Sequence, residues 1–203
     1  EKLRSLGIGF LTDTPGAEER LGPNDVVILP AFGVTMAMLQ QLERSGCTLI
    51  DTTCGSVLNV WKNVRRYSEG GYTSLIHGKA WHEETQATAS HAVEHGGHYL
   101  VVFNHADAQR VCDCIRGGGD RDTFLAHFRK AASDGFDPHR DLVRIGLANQ
   151  TTMLMSESLE IAEMLKAAYL DRYGEPALAA HFQAFDTICS ATQDRQDAVV
   201  ALL

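Results

Sequence analysis

A chain of 203 residues with 44% hydrophobic and 22% charged residues has the balance of a globular protein, long enough to bury a core in one or two domains. Its formal net charge of -8 opposes nucleic acid held through a basic face, and no apolar run approaches the roughly 18 residues of a membrane span, so neither partner is expected. The opening EKLRSLGIGF lacks the pattern of a secretory signal. Five cysteines, at 47, 54, 112, 114 and 189, show no disulfide-scaffold spacing, which points to a reducing interior and free thiols.

Short β-rich runs alternate with amphipathic ones. VVILPAF from Val26 predicts a buried strand before a helix over 34–45, and CTLID from Cys47 predicts another before a helix over 56–69. YTSLIHG from Tyr72 leads to a helix over 84–95, HYLVVF from His98 to one over 105–116, and LVRIGLAN from Leu142 to one over 156–172. The last helix sets Leu159, Ala162, Leu165, Ala168 and Tyr169 on one face, with Ser156 as its cap and Glu157 and Glu160 in its first turn. RGGGDRD at 116–122 and DGFDPHRD at 134–141 read as surface loops. Strand, loop and helix repeated in this way predict an α/β fold of mostly parallel sheets with helices packed on them.

In such sheets ligands bind beyond the carboxyl ends of the strands. Four polar segments fall there: Asp51-Thr52-Thr53-Cys54, His77 to Glu84, Asn149-Gln150-Thr151-Thr152, and Asp186-Thr187-Ile188-Cys189 before a final helical run. Cys54 and Cys189 share a D-T-x-C context and each stands where a helix should begin, a place that favours thiolate for metal binding or nucleophilic attack; buried structural cysteine is the alternative. Cys112 and Cys114 lie two apart in a helical pattern and do not share a face, so they make no metal clamp, and Cys47 reads as core. HGKAWHEET at 77–85 lacks the second histidine of a zinc protease motif. Glu83 and Glu84 fit a solvated first helical turn, or else His82 binds an anion while one glutamate delivers a proton. Thr151 and Thr152 fit a cap, or a turn whose NH and OH groups receive phosphate.

Together, VILPAFG, DTTCGSVLNVWKNV, IHGKAWHEETQATASHA, ANQTTML and DTICSATQDRQDA resemble the 4-hydroxy-3-methylbut-2-enyl diphosphate reductase family, in its plant and cyanobacterial branch, across nearly the whole chain. The resemblance implies three similar α/β modules around a central iron-sulfur cluster (4Fe-4S) held by three cysteines, one of whose irons takes the substrate hydroxyl. It places Cys54 and Cys189 as two ligands with the third upstream, Glu84 as the proton donor with Thr151 in the catalytic set, and His82, Gln150 and Thr151 near the substrate. The implied reaction is reductive dehydroxylation of an allylic diphosphate to isopentenyl and dimethylallyl diphosphate, the last step of the methylerythritol phosphate route. No G-x-G-x-x-G fingerprint is present, so electrons are expected from a ferredoxin or flavodoxin, in a bacterial cytoplasm or plastid stroma.

On this reading residues 1–50 are the remainder of one module, 51–148 the middle module and 149–203 the start of a third. Phe32 stands where many members carry histidine, and Gly55 replaces the proline that usually follows the second cysteine. The family's first cysteine and further diphosphate ligands lie outside the chain, so it reads as a fragment, inactive alone. A non-catalytic α/β binding module of the same fold is the rival expectation.

Overall fold

Alternating strand and helix signals yield the following elements in the computed structural model, which describes residues 2–185 and 190–202. In chain order they are α1 (Lys2–Ser5), β1 (Val26–Leu29), α2 (Met36–Ser45), β2 (Thr48–Asp51), α3 (Gly55–Glu69), β3 (Thr73–His77), α4 (Glu83–Glu94), β4 (Tyr99–Val102) and α5 (His105–Ile115). There follow α6 (Arg121–His127), α7 (Pro138–Asp141), β5 (Ile145–Asn149), α8 (Met155–Tyr173), α9 (Leu178–His181), β6 (Phe182–Ala184) and α10 (Ser190–Val200). β1 and β2 form one parallel sheet, and a second parallel sheet runs in the order β4-β3-β5-β6.

Period-two alternation decides what each face of the larger sheet covers. Leu75, Leu100, Val102, Ile145 and Leu147 point one way, onto Val111 and Ile115 of α5 and Ile161, Leu165 and Tyr169 of α8. On the other side Ile76 and Val101 meet Ala89 of α4, while Ala148 meets Val60, Val64 and Tyr67 of α3. Each fully buried Leu or Ile contributes about 2 kcal/mol, so this doubly covered sheet is the firm body of the chain. Gly146 is required within it: a Cβ there would lie 2.2 Å from the Tyr67 ring, whose hydroxyl donates to the Leu147 carbonyl at 2.8 Å.

Several expectations are corrected. β1 and β2 are not fully buried strands: Val27 and Leu29 pack with Leu42 of α2, while Val26, Ile28 and Ile50 are exposed, because a helix covers one face only. α8 starts at Met155 after Leu154, with no side-chain cap, so Ser156 lies inside the helix. Its buried face is Ser158, Ile161, Leu165, Ala168 and Tyr169, and Leu159 is exposed. The 116–122 loop ends in Asp120, which caps α6 by accepting from the Thr123 N–H at 2.8 Å. The 134–141 stretch buries Phe136, Pro138 and Asp141 and contains α7. At the edge of the larger sheet β6 pairs parallel with β5, Ile145 opposite Phe182 and Leu147 opposite Ala184.

Candidate active site at the carboxyl rim of the sheets

The turn after β2 is built by its own sequence. Asp51 accepts from the Thr53 N–H at 2.8 Å and the Thr53 hydroxyl at 2.6 Å, and these bonds hold its carboxyl below the ordinary carboxylate range. The Thr52 hydroxyl donates to the Leu29 carbonyl. Cys54 emerges at the N-cap of α3, its N–H bonded to the Ala31 carbonyl at 2.8 Å, and its thiol is free and exposed. The preceding loop is fixed by Gly33, whose φ of +75° suits glycine and whose Cβ would lie 2.2 Å from the Trp61 ring. Trp61 in turn donates to the Thr88 hydroxyl at 3.2 Å and packs against the His91 ring, tilted by 32° with centroids 4.2 Å apart, which ties α3 to α4.

The segment between β3 and α4 supplies the imidazole and the acid. His82 is the N-cap of α4, and its Nδ1 accepts from the Glu84 N–H at 3.2 Å. With Nδ1 the acceptor, the ring proton lies on Nε2, leaving a donor for a ligand. Phe32 meets the His82 ring edge-on at 6.4 Å and brings the loop after β1 to the imidazole. Glu83 is exposed, as a solvated first turn requires, but Glu84 is buried. A buried carboxyl needs hydrogen-bond partners, and Glu84 finds them beyond β5.

There the Thr151 N–H donates to Glu84 Oε1 at 2.5 Å and the Thr151 hydroxyl to Oε2 at 3.0 Å. Gln150 locks the same turn: its Oε1 accepts from the Lys79 N–H at 3.0 Å and the Thr85 hydroxyl at 3.1 Å, and its amide donates to Thr152 at 2.7 Å. Gly78 permits this approach, since a Cβ would lie 2.8 Å from the Thr85 hydroxyl and 3.0 Å from the Gln150 Cβ. Thr151 is therefore no helix cap; it grips the acid, because α8 begins four residues later.

Glu84, Gln150 and Thr151 thus converge as one bonded unit with His82 at its edge, and Cys54 joins through Ala31 and Phe32. Cys189 lies outside the described residues. Cys112 and Cys114 are buried, with burial pushing the Cys112 thiol up to about 11, so they are inert core groups. Among the described residues no three His, Cys, Asp or Glu side chains form a metal-binding group. An iron-sulfur cluster fits the donor set in kind, through the exposed uncapped Cys54 thiol, and requires further ligands beyond it. The sequence marked the whole stretch from His77 to Thr85 as a polar rim segment but gave Gly78 and Thr85 no separate role and His77 none beyond its imidazole; the small polar run TQATAS at 85–90 was the available signal for Thr85. No helix among the described residues is long and apolar enough to cross a membrane.

A doubly covered parallel sheet that carries a buried acid and a capping imidazole at its rim, together with a smaller parallel sheet whose last turn carries an exposed thiol, defines an α/β protein with the parts of an active site where such folds place them. The sequence matches the LytB protein family over residues 1–203, and the chain belongs to that family. It is 50% identical over 209 residues to the 4-hydroxy-3-methylbut-2-enyl diphosphate reductase of Gloeobacter violaceus, with 100% of this chain and 49% of that protein covered. To the protein of the same name from Gloeothece citriformis it is 52% identical over 208 residues, with 100% and 50% covered. The chain spans about half the length of the curated relatives it matches. Among solved structures, (E)-4-hydroxy-3-methyl-but-2-enyl diphosphate reductase, the terminal enzyme of the non-mevalonate pathway, aligns with a TM-score of 0.65 at 22% identity, over 99% of this chain and 56% of that one. The Plasmodium falciparum E-1-hydroxy-2-methyl-but-2-enyl-4-diphosphate reductase aligns at 0.63 and 22%, over 98% and 49%. These two likenesses show a shared fold.

Proposed function

We propose that this chain is the interior part of a 4-hydroxy-3-methylbut-2-enyl diphosphate reductase, and that Glu84, Thr151, His82 and Gln150 serve its substrate while Cys54 and Cys189 serve its iron-sulfur cluster. The observation that carries the reading is the buried Glu84 carboxyl held by the backbone and hydroxyl of Thr151, in a chain of the LytB family. The reaction takes up two electrons and two protons, breaks the allylic C–O bond and releases water with isopentenyl or dimethylallyl diphosphate. The cluster, when bound, supplies electrons and a Lewis-acidic iron for the hydroxyl.

The chain's own groups handle the protons. Glu84 Oε1 is committed as an acceptor to the Thr151 N–H, which leaves Oε2 to carry a proton. The 3.0 Å contact of Oε2 with the Thr151 hydroxyl works with either group donating, so Thr151 can pass a proton onward while Glu84 stays buried. His82 Nε2–H is free to bind diphosphate oxygen or the hydroxyl, since Nδ1 is used by the cap. Gln150 accepts from Lys79 and Thr85 and donates one amide N–H to Thr152, which fixes its side chain as part of the wall. The burial of Glu84 and Thr151 excludes water that would compete for the proton.

The remaining parts of this reading are a ferredoxin or flavodoxin as electron donor, residence in a bacterial cytoplasm or plastid stroma, and a module division near residue 50 with a second module reaching to 148 and its sheet beyond. The test is anaerobic cluster reconstitution of the full-length parent with Cys54→Ser, Cys189→Ser and Glu84→Gln. Each serine variant is expected to impair cluster uptake. Glu84→Gln, whose amide can still bond Thr151, should load normally and lose turnover by about 100-fold or more. A parent that binds no iron, or a Glu84→Gln enzyme with full turnover, would overturn the reading.

A further inference from the structure

His77 ends β3, is fully buried and takes no direct part in the acid's hydrogen bonds. Its carbonyl accepts from the Gln150 N–H at 2.8 Å, and its Nδ1 pairs with the Ser158 hydroxyl of α8 at 2.8 Å. Ser158 is itself buried and is continued into α8 by its own N–H bond to Leu154 at 3.0 Å. One residue therefore fastens both ends of the 150–158 segment, and Thr151 lies in the stretch between. Burial holds the imidazole below its ordinary pKa against the attraction of Glu157, which stands 3.9 Å from Nε2, so a neutral ring makes the Ser158 bond.

We infer that His77 is a positioning residue: through Ser158 it clamps the start of α8 to the end of β3, and this clamp sets the Thr151 N–H and hydroxyl against Glu84. The inference rests on the proposed role of Glu84 and Thr151 in proton delivery, and extends it to a residue that touches neither substrate nor acid. Without the Ser158 bond, the turn after Gln150 keeps its start and loses its far anchor. Thr151 then samples positions away from Glu84, and small misplacements of a reacting group cost large factors in rate.

The experiment compares His77→Leu with His77→Asn in the full-length parent. The two replacements have nearly the same shape and leave similar space, but only the asparagine amide, placed close to where Nδ1 sits, can bond Ser158. Two readouts are taken: hydrogen exchange by mass spectrometry over residues 148–155, and steady-state kinetics of the cluster-loaded enzyme. His77→Leu is expected to speed exchange in that segment about tenfold and lower kcat about tenfold with KM within about twofold, whereas His77→Asn retains both. Equal exchange in the two variants, or faster exchange in His77→Leu with kcat intact, overturns the positioning role. If exchange differs as expected but the wild-type parent turns over no substrate, the clamp stands and the reductase reading falls. Should His77→Leu fail to fold, Ser158→Ala removes the same bond by a smaller change and carries the same measurements.

Discussion

Acidification should loosen the contact between α3 and α4 through a single imidazole. His91 packs at a tilt against Trp61, and burial pushes its pKa down from 6.5 to about 4, with the nearby His95 adding in the same direction. Because the folded pKa is depressed, the unfolded chain binds a proton between pH 6.5 and 4 that the folded chain does not. The contribution is therefore complete above pH 6.5 and is lost as pH falls towards 4. For these values the loss is at most about 2 kcal/mol at pH 5, and solvent screening of the partly exposed ring leaves it on the order of 1 kcal/mol. His91→Phe keeps an aromatic ring on Trp61 and cannot titrate, so it should lose about 1 kcal/mol less than wild type between pH 8 and pH 5. Urea unfolding of the full-length parent followed by tryptophan fluorescence gives the comparison. His77 is also held low by burial and acts with the same sign, so some slope should remain in the variant. Equal losses in wild type and His91→Phe, or a His91 resonance titrating near 6.5, would refute the argument.

Other outcomes follow from packing and exposure. Gly146→Ala should destabilise by about 3 kcal/mol or more, since its Cβ meets the Tyr67 ring, and Tyr67→Leu in the same chain should recover part of that loss in a urea titration. Gly33→Ala should cost about 2 kcal/mol, with the φ strain persisting when Trp61 is trimmed to leucine. In apo protein at neutral pH, iodoacetamide should modify the exposed Cys54 well before the buried Cys112 and Cys114, and cluster loading should protect Cys54; peptide mapping that shows Cys112 reacting at the same rate contradicts the assigned burial. Thr151→Val removes the hydroxyl from Glu84 Oε2 and keeps the N–H bond, so turnover should fall about tenfold while unfolding shifts by about 1 kcal/mol.

Much of this protein is written locally. The five alternations of strand and helix, the Cys54 helix start and the clustering of polar residues after β2, β3 and β5 all follow from side-chain period and turn chemistry between near neighbours. The resemblance carried by DTTC, HGKAWHEET and ANQTTM pointed to the LytB family and to Glu84, Thr151 and His82, and the fold brings those three together. Local pattern did not reveal that β1 and β2 expose one face, because alternation does not say how many helices are available to cover a sheet. Nor did it place the start of α8: Ser156 is a good cap by composition, but the turn that holds Glu84 sets where that helix begins.

The choice between Glu83 and Glu84 shows the division most directly. Both acids suit a first helical turn, and sequence alone leaves a solvated role open for each. About 100° of helical rotation separates them, and only the turn bearing Thr151, 67 residues away, makes one of them a buried, doubly bonded acid. His77 begins a polar segment that the sequence marks, but nothing in that segment or around Ser158, 81 residues away, announces that the two side chains pair. Periodicity determined which elements form, because it acts through neighbours along the chain. Tertiary packing decided which polar groups lose water and find each other, because desolvation and hydrogen bonding are settled between segments distant in sequence.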